Sequence, residues 1–478
     1  MARFSVVFGL ANTQATLDFV DVDLATDTPL YIDPYAIQIR DDEWSAKCGD
    51  AVRSFFTEVL ATLRAGNDAR VTHLMSHLGE PNETYLGQSE GAPRGRGVGS
   101  DKAAKFAEAL RKSRAFRTGV IADISEAELF IHGVGPDMIS DLTTNIIRGH
   151  LATYTKEQCD LYGVPTRVVR SLGPTWSAQR ADWVASDVDL PVHEGKPILL
   201  VPKFSVRFKL SLDSQEFYNH YMIEYLKREY LNSNSGLVQV LKKTGERYVT
   251  KKSVKDRHPL IKDELASFVL DHPDVLETYK EIKGASGPIP PDMLEMFFDE
   301  SAFAQALIQN LQAIPAGNDD ASRYHHHALA ICTFLFHPQL ITPVKEFELH
   351  QGRKRLDIRF TNAAESGFFQ AMMVSPQGRA LSIPVECKNY RKEMRNPELD
   401  QLSGRFSHHR GFVGLLLCRS MDNRDRIISG CRDTASDGRG FMIVLEDADL
   451  IQMLGFVQNN SRWRIDEFLH DRFAEITR

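Results

Sequence analysis

Apolar and polar positions change period several times along the first 170 residues, and each period predicts an element. Leu17–Asp23 (LDFVDVD) alternates apolar and acidic residues, as a half-buried strand does, and Pro29–Pro34 reads as a second strand. Ala46–Arg64 carries Val52, Phe55, Phe56, Val59, Leu60 and Leu63 at helical spacing. A glycine-rich stretch between Gly87 and Gly99 precedes a predicted helix over Asp101–Arg114. The turn Gly133–Asp137 opens another over Met138–His150. Further on, Pro197–Val201 (PILLV) reads as a buried strand, and Gln215–Leu231, Leu260–Leu270 and Pro291–Leu311 read as helices.

From residue 321 the order becomes regular. It runs helix (Ser322–Phe336), strands (Val344–His350, Arg355–Phe360, Leu381–Lys388), helix (Pro397–Ser407), strand (Phe412–Cys418), helix (Arg424–Thr434) and strand (Phe441–Leu445). Such an order makes a mixed sheet flanked by helices. Pro/Gly-rich punctuation at 284–291 and 314–321 marks linkers. The expected organisation is a multidomain α/β chain. A mixed α/β domain spans 1–170, with a sensing or regulatory role open to it. A mainly helical region with a basic stretch follows over 171–312, then a linker over 313–321 and an α/β domain over 322–478.

Composition adds limits. The 478 residues correspond to about three domains. With 42% hydrophobic and 25% charged residues, collagen-like and wholly disordered chains are excluded. The net charge of −7 advertises no global attraction to nucleic acid. Six cysteines without a C-x-x-C pair argue against a disulfide framework or a cysteine zinc site. The first residues lack the features of a signal peptide, and the longest apolar run is Phe412–Cys418, so a soluble cytoplasmic protein without membrane contact is expected.

One constellation carries chemistry. Glu386 and Lys388 are separated by one residue in a predicted strand, so they project from one face while Cys387 points away. If that strand pairs with Arg355–Phe360, Asp357 joins them. Carboxylates are hard oxygen ligands for Mg²⁺. A bound metal polarises phosphate and lowers the pKa of water, and an ammonium stabilises developing charge.

These residues resemble the PD-(D/E)XK nuclease superfamily, the restriction-endonuclease-like fold, whose pattern is an Asp on one strand and Glu-x-Lys on the next. The order α-β-β-β-α-β agrees, as does Gln401 on the following helix. The resemblance covers about 125 of the 478 residues. It implies an Mg²⁺-dependent endonuclease, with Mn²⁺ able to substitute. Asp357, Glu386 and the Cys387 carbonyl would hold the metal, Lys388 would activate water, and Gln401 would complete the catalytic set. It also implies a nucleic-acid partner, DNA before RNA, and by analogy a place in bacterial anti-phage defence. A homo-oligomer or a partner protein is left open. Leu356 stands where the pattern has Pro, and Ser322–Phe336 offers no Glu, so Glu346 or Glu348 would substitute or the site would hold one metal.

Glu-x-Lys also occurs at Glu194–Lys196 and Glu281–Lys283, without an Asp strand beside either. Between Lys345 and Asp437 there are 16 Lys/Arg against 12 Asp/Glu, a local net of +4. Within that stretch Arg353, Lys354, Arg355, Arg391, Lys392 and Arg395 are the expected phosphate contacts, with Arg359 nearby. Weaker signals read as structure. His325–His327 cannot share a metal easily on a helix and suits a surface or helix-packing role. Gly95–Lys102 fails the phosphate-loop spacing. Asp137 and Asp141 argue against phosphate at the 131–141 turn, and the cations of 242–257 suit a solvated surface or a second nucleic-acid contact. Two rivals stay open: an inert nucleic-acid-binding module, and a nucleotide-responsive N-terminal regulator controlling a C-terminal effector.

Overall fold

A computed structural model describes residues 2–87, 99–170, 172–185, 187–241, 244–294, 299–345, 357–390 and 396–477. The chain is mixed α/β, with one five-stranded mixed sheet and several two-stranded pairs. Two hydrophobic cores hold it together. The first takes side chains from Phe4 to Ile289, across the expected 170/171 boundary. The second runs from Ala304 to Ile476 and also takes in Ala15 and Leu161.

The first core is built around two long helices. Helix α1 (Glu43–Arg64) is capped by the Asp42 side chain, which accepts from the Ser45 N–H, and it buries the predicted apolar stripe. Helix α2 (Pro136–Tyr162) starts on a proline at its first position and ends on Gly163 at φ +71°. It runs twelve residues beyond the expected His150. Thr155 and Gln158 are buried there among the apolar side chains, and this blurs a period read from hydrophobicity.

Two predicted strands are corrected. Leu17–Val22 is buried on both sides: the carboxylates turn inward, Asp18 accepting from the Tyr154 hydroxyl (2.7 Å) and Asp21 from the Ser5 hydroxyl (2.7 Å). No ladder forms there beyond single bridges such as Phe19 to Pro202. In PILLV only Pro197 is paired as strand. The N–H groups of Ile198, Leu199 and Leu200 donate to the Pro191 carbonyl, the Glu83 carbonyl and the Thr155 hydroxyl. Extended backbone is thus satisfied by three separate partners rather than by a neighbouring strand.

The second core surrounds the sheet. Helices α3 (Glu300–Gln312) and α4 (Ala321–Phe336) precede β1 (Leu340–Val344) and β2 (Ile358–Asn362). Then come α5 (Gly367–Val374), β3 (Ser382–Lys388), α6 (Asn396–Ser403), β4 (Val413–Cys418) and α7 (Arg424–Ser436). The chain continues through β5 (Phe441–Glu446), α8 (Asp447–Gln458) and α9 (Arg464–Thr477). The sheet order is β1-β2-β3-β4-β5, antiparallel across the first two pairings and parallel across the last two. Helices α5, α8 and α9 were not in the expected order.

Strand β1 begins earlier than Val344, and the 346–350 part of its expected range lies outside the described residues. A bulge between Ile341 and Val344, with Thr342 at φ +44°, interrupts its register with β2. The N-terminal part covers this edge: Gln158 Nε2 donates to the Pro343 carbonyl at 2.9 Å.

Candidate functional site

The antiparallel register pairs Ile358 with Val385, and one step further sets Asp357 beside Glu386. Asp357 Oδ2 accepts from the Cys387 N–H at 2.7 Å, which fixes the carboxylate against β3. Glu386 is fully buried. Gln401 on α6 donates through Nε2 to both of its oxygens, at 3.1 and 3.2 Å. Lys388 Nζ lies 3.2 Å from Glu386 Oε2 and donates to Gln401 Oε1 at 3.1 Å. Four of the sequence-predicted residues, Asp357, Glu386, Lys388 and Gln401, therefore form one cluster. Strand alternation sends Glu386 and Lys388 towards α6, while the Cys387 carbonyl is met by α4.

The electrostatics are those of a crowded acid pair. Burial raises the Glu386 carboxyl above its usual range, and the negative charge of Asp357 pushes it further up, against the cations of Lys388 and Arg405. Burial pulls the Lys388 ammonium down, but the negative charges around it, Glu386 and then Asp357, outweigh this and hold it above its ordinary value. Neighbouring carboxylates competing for countercharge are a donor set that a divalent cation suits. Among the described residues no group of three or more His, Cys, Asp or Glu side chains is arranged to hold a metal ion.

Two residues of this cluster were not in the expected set. His325 on α4 brings Nε2 to 3.0 Å from the Cys387 carbonyl and Nδ1 to 3.4 Å from Asp357 Oδ1. Of the other two members, His326 is exposed and His327 is packed. His326 turns to the Ser322 carbonyl of its own helix, and His327 to the Leu307 carbonyl. The 100° between neighbours sends one ring of the three to the site. Arg405, just past α6, is buried with Nε 3.9 Å from Glu386 Oε1. Its place four residues after Gln401 was the only sequence signal available.

All six expected phosphate contacts, Arg353, Lys354, Arg355, Arg391, Lys392 and Arg395, lie outside the described residues, as do Glu346, Glu348 and Leu356. The charge of Arg359 lies near Glu157 and Glu43 of the N-terminal part. Three cations of the 242–257 stretch tie elements together: Lys251 pairs with Glu224 (2.6 Å), Lys255 donates to Asn219 (2.6 Å), and Arg257 lies over the Tyr230 ring. Lys102 is held by Asp137 (2.9 Å) and Asp141 (3.3 Å).

A family model described as Domain of unknown function (DUF8370) matches residues 9–213, which do not include this cluster. No curated protein and no solved structure matches the chain. No helix among the described residues is long and apolar enough to cross a membrane.

Proposed function

We propose that the C-terminal part is a metal-dependent nuclease of the restriction-endonuclease-like PD-(D/E)XK type, acting on DNA in preference to RNA. The observation that carries this reading is the convergence of Asp357, just before β2, with Glu386 and Lys388 of β3 and Gln401 of α6. An antiparallel β1-β2-β3 unit followed by parallel β4, with α4 before it and α6 within it, supports it as topology.

Asp357, Glu386 and the Cys387 carbonyl would hold Mg²⁺, with Mn²⁺ able to substitute. The metal, when bound, polarises the phosphate and lowers the pKa of its water. Lys388 supplies a positive charge beside the attacked phosphorus, orienting water and stabilising the charge that develops there. Gln401 bridges Glu386 and Lys388 and keeps the two heads in register. Burial of Glu386 excludes bulk water from that side and strengthens each of these interactions.

The test is cleavage of plasmid, linear and single-stranded DNA, and of RNA, by the full chain with Mg²⁺, Mn²⁺ or EDTA. Metal-dependent cutting of DNA is expected, lost on chelation and reduced by at least about 100-fold in Asp357→Ala and Lys388→Ala. Cutting that both variants retain would place the chemistry elsewhere. Tight metal-independent binding without cutting would make this domain an inert nucleic-acid-binding module.

A further inference from the structure

Arg405 follows α6, four residues after Gln401. Its side chain is 3% exposed, yet neither Nε nor Nη2 has a hydrogen-bond partner among the described residues. The 3.9 Å from Nε to Glu386 Oε1 is too long for a hydrogen bond. A guanidinium keeps its charge at any physiological pH, and burying one with idle donors is unfavourable unless an anion closes on them. Nε and Nη2 are the pair that grips a carboxylate side-on with two parallel bonds. The nearest carboxylate is already held by others: Gln401 Nε2 on both oxygens and Lys388 on one.

That sharing cannot persist through the proposed reaction. For Lys388 to serve water or developing charge, its ammonium has to turn away from Glu386. Apart from the metal, a fully buried carboxylate would then keep only the neutral Gln401 amide as a hydrogen-bond partner. We infer that Arg405 is the positioning residue that takes over: its idle Nε–H and Nη2–H close on Glu386 as Lys388 turns to the substrate, keeping the carboxylate aimed at the metal. This inference rests on the metal-nuclease reading. Arg405 itself is too buried to touch the substrate.

The experiment compares the full chain with Arg405→Met and Arg405→Lys, using Mn²⁺ alone as the probe, read by electron paramagnetic resonance, alongside thermal unfolding. Partners of a ligating carboxylate typically contribute 10- to 100-fold in metal affinity. Arg405→Met is expected to bind Mn²⁺ at least about 10-fold more weakly while melting no lower than the parent, because an apolar side chain replaces a buried guanidinium whose Nε and Nη2 make no hydrogen bond. Arg405→Lys, with charge but no fork, is expected between the two. Charge alone predicts the opposite, since removing a cation next to a metal site would tighten Mn²⁺ binding. Equal or tighter binding by Arg405→Met overturns the inference and leaves the metal reading standing. If that variant does not fold, parental affinity in Arg405→Lys overturns it instead. A parent chain that binds no Mn²⁺ overturns the metal reading and this inference together.

Discussion

Asp447 shows at the scale of one residue how burial sets charge in this fold. Its carboxyl is pushed up to about 6 by burial, against the lowering pull of Arg419 (3.1 Å) and the Tyr324 hydroxyl (3.0 Å). An acid whose folded pKa exceeds its unfolded value contributes stability that is fully present below about pH 4 and is lost as pH rises through 6. Asp447→Asn keeps the shape and does not titrate. Relative to the parent, this variant is expected to gain on the order of 2 kcal/mol between pH 4 and 7, read as the difference in unfolding free energy. A constant difference would mean that Asp447 is ionised throughout. Glu386 is raised in the same direction, so Glu386→Gln has the same sign.

At the scale of elements, the end of β3 is tied to the linker as well as to its neighbouring strands. Asn389 is buried, donates through Nδ2 to the Pro315 (3.0 Å) and Gly317 (2.7 Å) carbonyls, and accepts from the Gly317 N–H on its own carbonyl (2.8 Å). Arg419 at the end of β4 donates to the Ile314 carbonyl (2.8 Å). The segment read from its Pro and Gly content as a plain linker is thus anchored beside Lys388. Asn389→Ala leaves two carbonyls without their donor and is expected to cost about 2 kcal/mol, seen as a lower denaturation midpoint with unchanged slope. An unchanged midpoint would mean that water replaces the clamp.

For the whole molecule, the junction between the two cores decides cooperativity. Ala15 and Leu161 belong to the C-terminal core although they come from the N-terminal part of the chain. Gln158 holds the bulged β1, and Arg40, stacked on Phe204, reaches the Pro338 carbonyl (3.4 Å). Burying an unpaired carboxylate at this junction costs several kcal/mol. Leu161→Asp is therefore expected to split the unfolding of the chain into two calorimetric transitions, the C-terminal one at lower temperature. A single transition shifted as a whole would show that the two cores unfold together regardless of the junction.

Local pattern was enough for some of this protein. The stripe of α1, the alternation of β3 and the elements after residue 321 other than α5, α8 and α9 are written in neighbouring residues, so they could be read in advance. The Glu386–Lys388 spacing belongs to this class, because a strand's period of two is a local property. Asp357 needed only one further assumption, that β2 pairs with β3. Other features depended on partners far away in sequence. Leu17–Val22 and PILLV look like strands, but their backbone and carboxylate groups are satisfied by Tyr154, Thr155, Glu83 and Val201. His325 could not be told from His326 and His327 until α4 was packed on β3. Arg405 gained meaning only when its donors were found buried and idle beside Glu386. By itself, the sequence determined which side chains share a strand face. Tertiary structure alone decided which distant groups close on them, because desolvation and hydrogen-bond satisfaction are set by whatever packs against a group and not by its neighbours along the chain.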